Sequence, residues 1–122
     1  MLFRSNQREI EEYQAFFDPN VIRDYKIADF IKMNTATEDE VFLWSDSAQT
    51  YILANKLPIG RYSVAYHITF YNGALDETIK DIQTKKPKYI IQTKNTPHIN
   101  ELIFGYQQMY SMKGVIIFER QL

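Results

Sequence analysis

Residues 41–62 read VFLWSDSAQTYILANKLPIGRY, and the way this stretch divides decides the fold. Val41-Phe42-Leu43-Trp44 is an unbroken apolar run of strand length, the pattern of a strand covered on both faces. Ser45-Asp46-Ser47 interrupts it with small polar residues whose side chains hydrogen-bond nearby backbone, which favours turns and helix starts. Ser47 to Asn55, with Tyr51, Ile52 and Leu53, reads as a short helix, and Pro58, Gly60 and Arg61 lead out of it. Strand, tight turn, helix and return loop make half of a βαβ unit.

The pattern repeats outward from there. Upstream, Asp18-Pro19 is a helix start, with Asp as N-cap and Pro in the first turn. Val21, Ile22, Tyr25, Ile27, Ala28, Phe30 and Ile31 continue it at helical spacing toward Asn34, with Arg23, Asp24, Lys26, Asp29 and Lys32 on the solvent side. Downstream, Tyr62 to Phe70 is rich in β-branched and aromatic residues and reads as a second strand. Asn72-Gly73 is a turn, and Leu75, Ile79 and Ile82 give the next helix its stripe. Asp76 and Glu77 in its first turn and Lys85 and Lys86 at its end complement the helix dipole. Lys88 to Gln92 is a third strand. From Thr96-Pro97, Ile99, Leu102, Ile103, Tyr106 and Met109 form a last helical stripe, interrupted by Gly105, and Val115 to Glu119 is the fourth strand.

Strands separated by helices predict right-handed crossovers and a parallel sheet. The expected fold is α/β: a small three-layer α/β/α unit, half of a Rossmann or flavodoxin-like fold, with about four mostly parallel strands. Residues 20–122 would form this one domain. Residues 1–19 would be an N-terminal arm or a short amphipathic helix carrying Ile10, Tyr13, Phe16 and Phe17.

A chain of 122 residues with 45% apolar content can bury a core of its own. Its net charge of −1 supplies no field to attract nucleic acid. With no cysteine it has neither a disulfide framework nor a thiolate metal site or nucleophile. No apolar run approaches the ~18 residues of a membrane span. The first nine residues, MLFRSNQRE, do not form an export signal.

Chemistry is sparse. Gly60, Gly73, Gly105 and Gly114 are the only glycines and form no phosphate-binding loop. His67 and His98 lack metal-ligand spacing, so neither a metal nor a cofactor is expected. Asp76 or Asp81 followed by Gln92-Thr93-Lys94 is a faint version of the acid-then-ExK layout of metal-dependent nucleases, with an amide where a hard cation wants a carboxylate. Ligands of open α/β sheets sit beyond the carboxyl ends of the strands. Ser45, Asp46 and Ser47 would meet Thr93, Lys94 and Asn95 there, unless the first group merely caps the following helix and Thr96 the last one.

A resemblance adds to this. DYKIADFI (24–31), EDEVFLW (38–44), the Trp44-Ser45-Asp46-Ser47 turn, Tyr51-Ile52-Leu53, KLPIGRY (56–62) and DIQTKKPKYII (81–91) follow one another in a familiar order. Over about residues 20–120 the chain resembles the soluble extracytoplasmic C-terminal domain of multi-spanning membrane glycosyltransferases of the dolichyl-phosphate-mannose–protein mannosyltransferase-like kind. Ser45 stands where that pattern has Gly.

The resemblance implies that the catalytic acids lie outside these residues, between transmembrane helices of the same parent chain. The domain itself would be non-catalytic and would sit on the extracytoplasmic face of the membrane. It would help bind the lipid-linked sugar or the acceptor, or brace the membrane part. Trp44, Asp46, Tyr51, Arg61, Tyr62 and Lys94 are the candidate binding residues. The alternative is a stand-alone α/β module, cytoplasmic if the chain is a complete gene product, that binds a small polar ligand or a protein partner near Asp46 and Lys94.

Overall fold

The computed structural model describes residues 19–112 and 114–121, so the expected N-terminal arm and the capping role of Asp18 lie outside the described residues. Helix α1 (Pro19–Asn34) leads into β1 (Val41–Trp44), α2 (Gln49–Ala54), α3 (Ala65–Phe70), α4 (Ala74–Lys85) and β2 (Tyr89–Thr93). A 3₁₀ turn (Asn100–Ile103) and the strands β3 (Tyr106–Met112) and β4 (Val115–Arg120) complete it. The four strands lie in the order β1-β2-β4-β3.

Side-chain alternation sorts the core. Val41 and Leu43, Tyr89 and Ile91, and Val115 and Ile117 point to one face, where Ile27, Ala28 and Ile31 of α1 and Tyr51 and Ala54 of α2 cover them. Phe42, Trp44, Ile90 and Phe118 point to the other face, against Ala65 and Ile68 of α3, Ile82 of α4, and Ile59 and Leu102. Every residue of β1 and β2 is therefore buried, which is why these strands read as continuous apolar runs rather than alternating ones.

The α/β class and the expected helix, strand and short helix of residues 19–54 agree with the sequence. The predicted mostly parallel sheet does not. Among the described residues only β1 and β2 pair parallel, Val41 opposite Tyr89. β2–β4 and β3–β4 are antiparallel, which makes the sheet mixed. The difference arises in two segments.

The first is 62–70, expected as a strand. Its residues 65–70 are helix α3. Ala65 and Ile68, three apart, are buried, while Tyr66 (61% exposed) and Phe70 (69%) face out. Two groups after β1 fix the start of this helix: Ser45 O accepts from Ala65 N at 2.7 Å, and Asp46 Oδ1 accepts from Tyr66 N at 2.8 Å. Long-range contacts thus override a local β preference that is only a weak prior.

The second is 96–109, expected as a helix. Gly105 takes φ 85°, a left-handed conformation that ends the short 3₁₀ turn and starts β3. Of the predicted stripe, Leu102 is fully buried, whereas Met109 is 44% exposed beside a register shift in the β3–β4 pairing. The last two strands consequently meet in a tight hairpin through Gly114 (φ 76°) instead of a helical crossover.

Candidate functional site

The carboxyl ends of the parallel pair β1 and β2 open beside the first turns of α1. Two cavities adjoin there and share Asn20, Arg23 and Asn95. The smaller, about 220 Å³, is lined also by Asp24, Asp46, Ser47, Gln49 and Thr93. The larger, about 610 Å³, extends past Pro19, Ile22, Lys26, Lys94, Met112 and Gly114. Asp46 and Lys94 thus reach the same edge of the sheet but line separate cavities, with Arg23 between them.

At its heart is Asp24, a carboxylate only 3% exposed and expected on the solvent side of its helix. It falls instead on the buried stripe, with Ile27, Ala28 and Ile31 at +3, +4 and +7. A buried charge requires partners. Asp24 Oδ1 accepts from Arg23 Nε at 3.2 Å and Nη2 at 3.1 Å, and Oδ2 accepts from Ser47 Oγ at 2.7 Å. The turn after β1 is thereby pinned to α1.

The three turn residues have different tasks. Ser45 Oγ accepts from Ser47 N at 3.2 Å, a local turn contact. Ser47 holds Asp24, and Asp46 caps α3. None of them caps α2, the helix they precede in sequence, whose N-cap Ala48 offers no side-chain oxygen. Thr96 likewise caps no helix; its hydroxyl donates to Thr93 O at 2.7 Å and closes the turn that carries Lys94 and Asn95.

The other candidates lie elsewhere. Trp44 is 2% exposed, and its indole Nε1 donates to Pro97 O at 2.7 Å. Tyr51 is 3% exposed, and its hydroxyl accepts from Leu43 N at 2.9 Å. Burial drives the Tyr51 phenol far above its ordinary pKa, against the smaller opposing effect of the Leu43 amide. Arg61 is exposed, pairs with Glu77 at 3.2 Å and lies 5.9 Å from the Tyr62 ring centroid.

Tyr62 begins an aromatic cluster that reading 62–70 as a strand scattered over two faces. Its ring stacks on Tyr71 at 6.0 Å, His67 lies 5.5 Å from Tyr71, and Tyr66 stacks on Phe70 at 5.9 Å and 11°. Tyr66, Phe70 and Tyr71 keep 61%, 69% and 49% of their surface exposed. In a helix, Tyr66 and Phe70, four apart, fall on one face, which brings their rings together.

Among the described residues no group of three His, Asp or Glu side chains is placed to hold a metal ion, and no helix is long and apolar enough to cross a membrane. The nuclease layout is not assembled: Gln92 and Thr93 are buried in β2, and the Asp81 carboxylate lies against the backbone of Gly60. The chain matches no protein-family model, no curated protein and no solved structure.

Proposed function

We propose that the chain is the non-catalytic accessory domain of a membrane glycosyltransferase that uses a lipid-linked sugar, and that it seats on the extracytoplasmic side of the membrane part of its parent. Two things support this: the ordered resemblance over about residues 20–120, and the exposed ring cluster around α3. The ring cluster carries the proposal. Solvent-facing rings in contact with one another leave apolar area uncovered, and Tyr side chains with one apolar and one polar end suit a boundary between protein and membrane interface. On this basis Tyr62, Tyr66, Phe70 and Tyr71 face the membrane part or the acceptor, with Arg61 at their rim. The helices on either face of the sheet support a three-layer arrangement, although the antiparallel β4 and β3 depart from a flavodoxin-like half.

The test is the native form of the protein. An antibody against this domain should detect, in cells that make it, a species much larger than 14.5 kDa. That species should resist alkaline extraction from membranes and be cleaved by protease added outside sealed cells. A freely soluble species of 14.5 kDa would overturn the proposal. It would favour the second reading, a stand-alone module for a small polar ligand, which the adjoining cavities at Asp46 and Lys94 support.

A further inference from the structure

The larger cavity beside α1 has a cationic composition that points to a ligand chemistry the second reading leaves open. Among the described residues that line it, Arg23, Lys26 and Lys94 are cationic and none is a carboxylate. Arg23 and Lys26 are three apart on one helix face, a like-charge spacing that is mildly unfavourable by itself. Lys94 joins them from the turn after β2, where Lys94 N donates to Gly114 O at 2.9 Å. Lys26 and Lys94 are exposed and have no ion-pair partner among the described residues.

Arg23 is different. Its side chain is only 17% exposed, and two of its nitrogens are held on one oxygen of buried Asp24. The guanidinium is therefore fixed before any ligand arrives, and its five N–H donors leave some free to reach the cavity. The Asn95 amide adds neutral polar capacity, and Ile22 and Met112 supply apolar wall. A fixed guanidinium with two mobile ammonium groups around one cavity of about 610 Å³ suits an anion with several oxygens, which can take the guanidinium fork and two point charges together.

We propose that this cavity binds a phosphate-bearing anion, with Arg23 as the oriented fork and Lys26 and Lys94 closing on the remaining oxygens. Asp24 is a positioning residue that sets Arg23 and does not touch the anion. The site stands on these side chains alone, whatever parent the domain belongs to, and its test reads binding rather than cellular location. The anion is either free in solution, as in a small phosphate ester, or the headgroup of an anionic lipid.

Inorganic pyrophosphate is the probe, titrated at low ionic strength into the full chain while amide NMR shifts are followed. Saturable shifts are expected in Arg23, Lys94 and Asn95, weakening as salt screens the charges. Lys26→Gln and Lys94→Gln should each weaken binding about tenfold, since a charge-assisted hydrogen bond is lost in each. Lys80→Gln, on a helix at the opposite face of the sheet, should leave it unchanged. Both replaced lysines are exposed, so unchanged thermal melting verifies the fold.

A parallel arm measures cosedimentation with phosphatidylcholine vesicles with and without phosphatidic acid. Sedimentation that needs phosphatidic acid and is lost in the Lys26→Gln/Lys94→Gln double variant identifies a lipid headgroup. Pyrophosphate binding without sedimentation identifies a soluble phosphate. Saturation with neither probe, or binding that the double variant retains in full, overturns the proposal.

Discussion

Tyr51 is a site candidate by residue type and a structural member by position. Its ring fills the core between α2 and the sheet while its hydroxyl meets the N–H of Leu43 on the outer strand β1. Tyr51→Phe keeps the ring and strands that N–H. The expected loss is about 1–3 kcal/mol, the cost of a buried polar group left without a partner, read as a lower urea midpoint with an unchanged slope. An unchanged midpoint would show that water replaces the hydroxyl. Trp44 follows the same logic, its indole N–H spent on Pro97 O. Composition identifies such residues as large and amphipathic. It does not tell which end meets what, because the partners of Trp44 and Tyr51 are backbone groups fixed by the chain's path. Asp24 was misplaced for a related reason: an acid on a helix is ordinarily solvated, and its place on the buried stripe is explicable only once Arg23 and Ser47 are seen around it.

Elements were legible where both faces of a segment are covered and obscure where a distant group decides. β1 and β2 stand out in sequence because burial on both sides demands unbroken apolar runs. α4 is legible from its stripe and from the order of its charges, Asp76 and Glu77 first and Lys85 last. α3 was missed because six residues with alternating bulky side chains satisfy a strand pattern as well as a helix, and the cap that decides is Asp46, twenty residues away. Removing that cap should cost what caps usually cost. Asp46→Ala is expected to destabilise the protein by about 1 kcal/mol, in the range of N-cap replacements. It should also raise amide exchange selectively in α3. Uniform exchange across the domain would place the role of Asp46 elsewhere. The 3₁₀ turn and β3 escaped because one residue, Gly105, converts a helical stripe into a turn and a strand.

For the whole molecule, Tyr51, Tyr89 and Tyr106, all raised above the ordinary phenol value chiefly by burial, couple the fold to pH. Burial pushes the Tyr106 phenol up from 10.0 to about 12, with Arg120 pulling weakly the other way, and its hydroxyl donates to Pro87 O. Tyr51 moves in the same direction and further. A raised folded-state value means that the native protein keeps protons that the unfolded chain releases. The contribution is fully present below the unfolded value near 10 and is lost as the pH rises through the folded values. The urea midpoint should therefore hold steady up to about pH 9 and fall above about pH 10. Tyr106→Phe should flatten part of that fall. Tyrosinate absorbance from Tyr51 and Tyr106 should appear together with unfolding, and its appearance in the folded state would contradict their burial. At the same scale, the sequence conveyed the α/β class, but strand direction depends on whether the last connection is a helix or a hairpin. That choice rests on few residues, and it reverses β4, which makes two of the three strand pairings antiparallel. The edge beyond the parallel strands was expected as a ligand site, and the cavities do lie there. Arg23 and Lys26 could not be assigned to it, because nothing in their spacing tells that the start of α1 overhangs the carboxyl ends of β1 and β2.

The hydroxyl of Tyr51 has one more effect, on what the sheet can be joined to. A strand at a sheet border invites another chain to continue the ladder. On the β1 side the N–H of Leu43 already has its partner within the molecule, so one rung of any added ladder is taken there. On the β3 side the strand is largely exposed from Tyr106 to Met112 and pairs with no further strand among the described residues. A sheet whose two borders differ in this way accepts a further strand more readily on the β3 side. Two copies meeting β3 to β3 each use up the border they offer, and such an assembly closes as a pair.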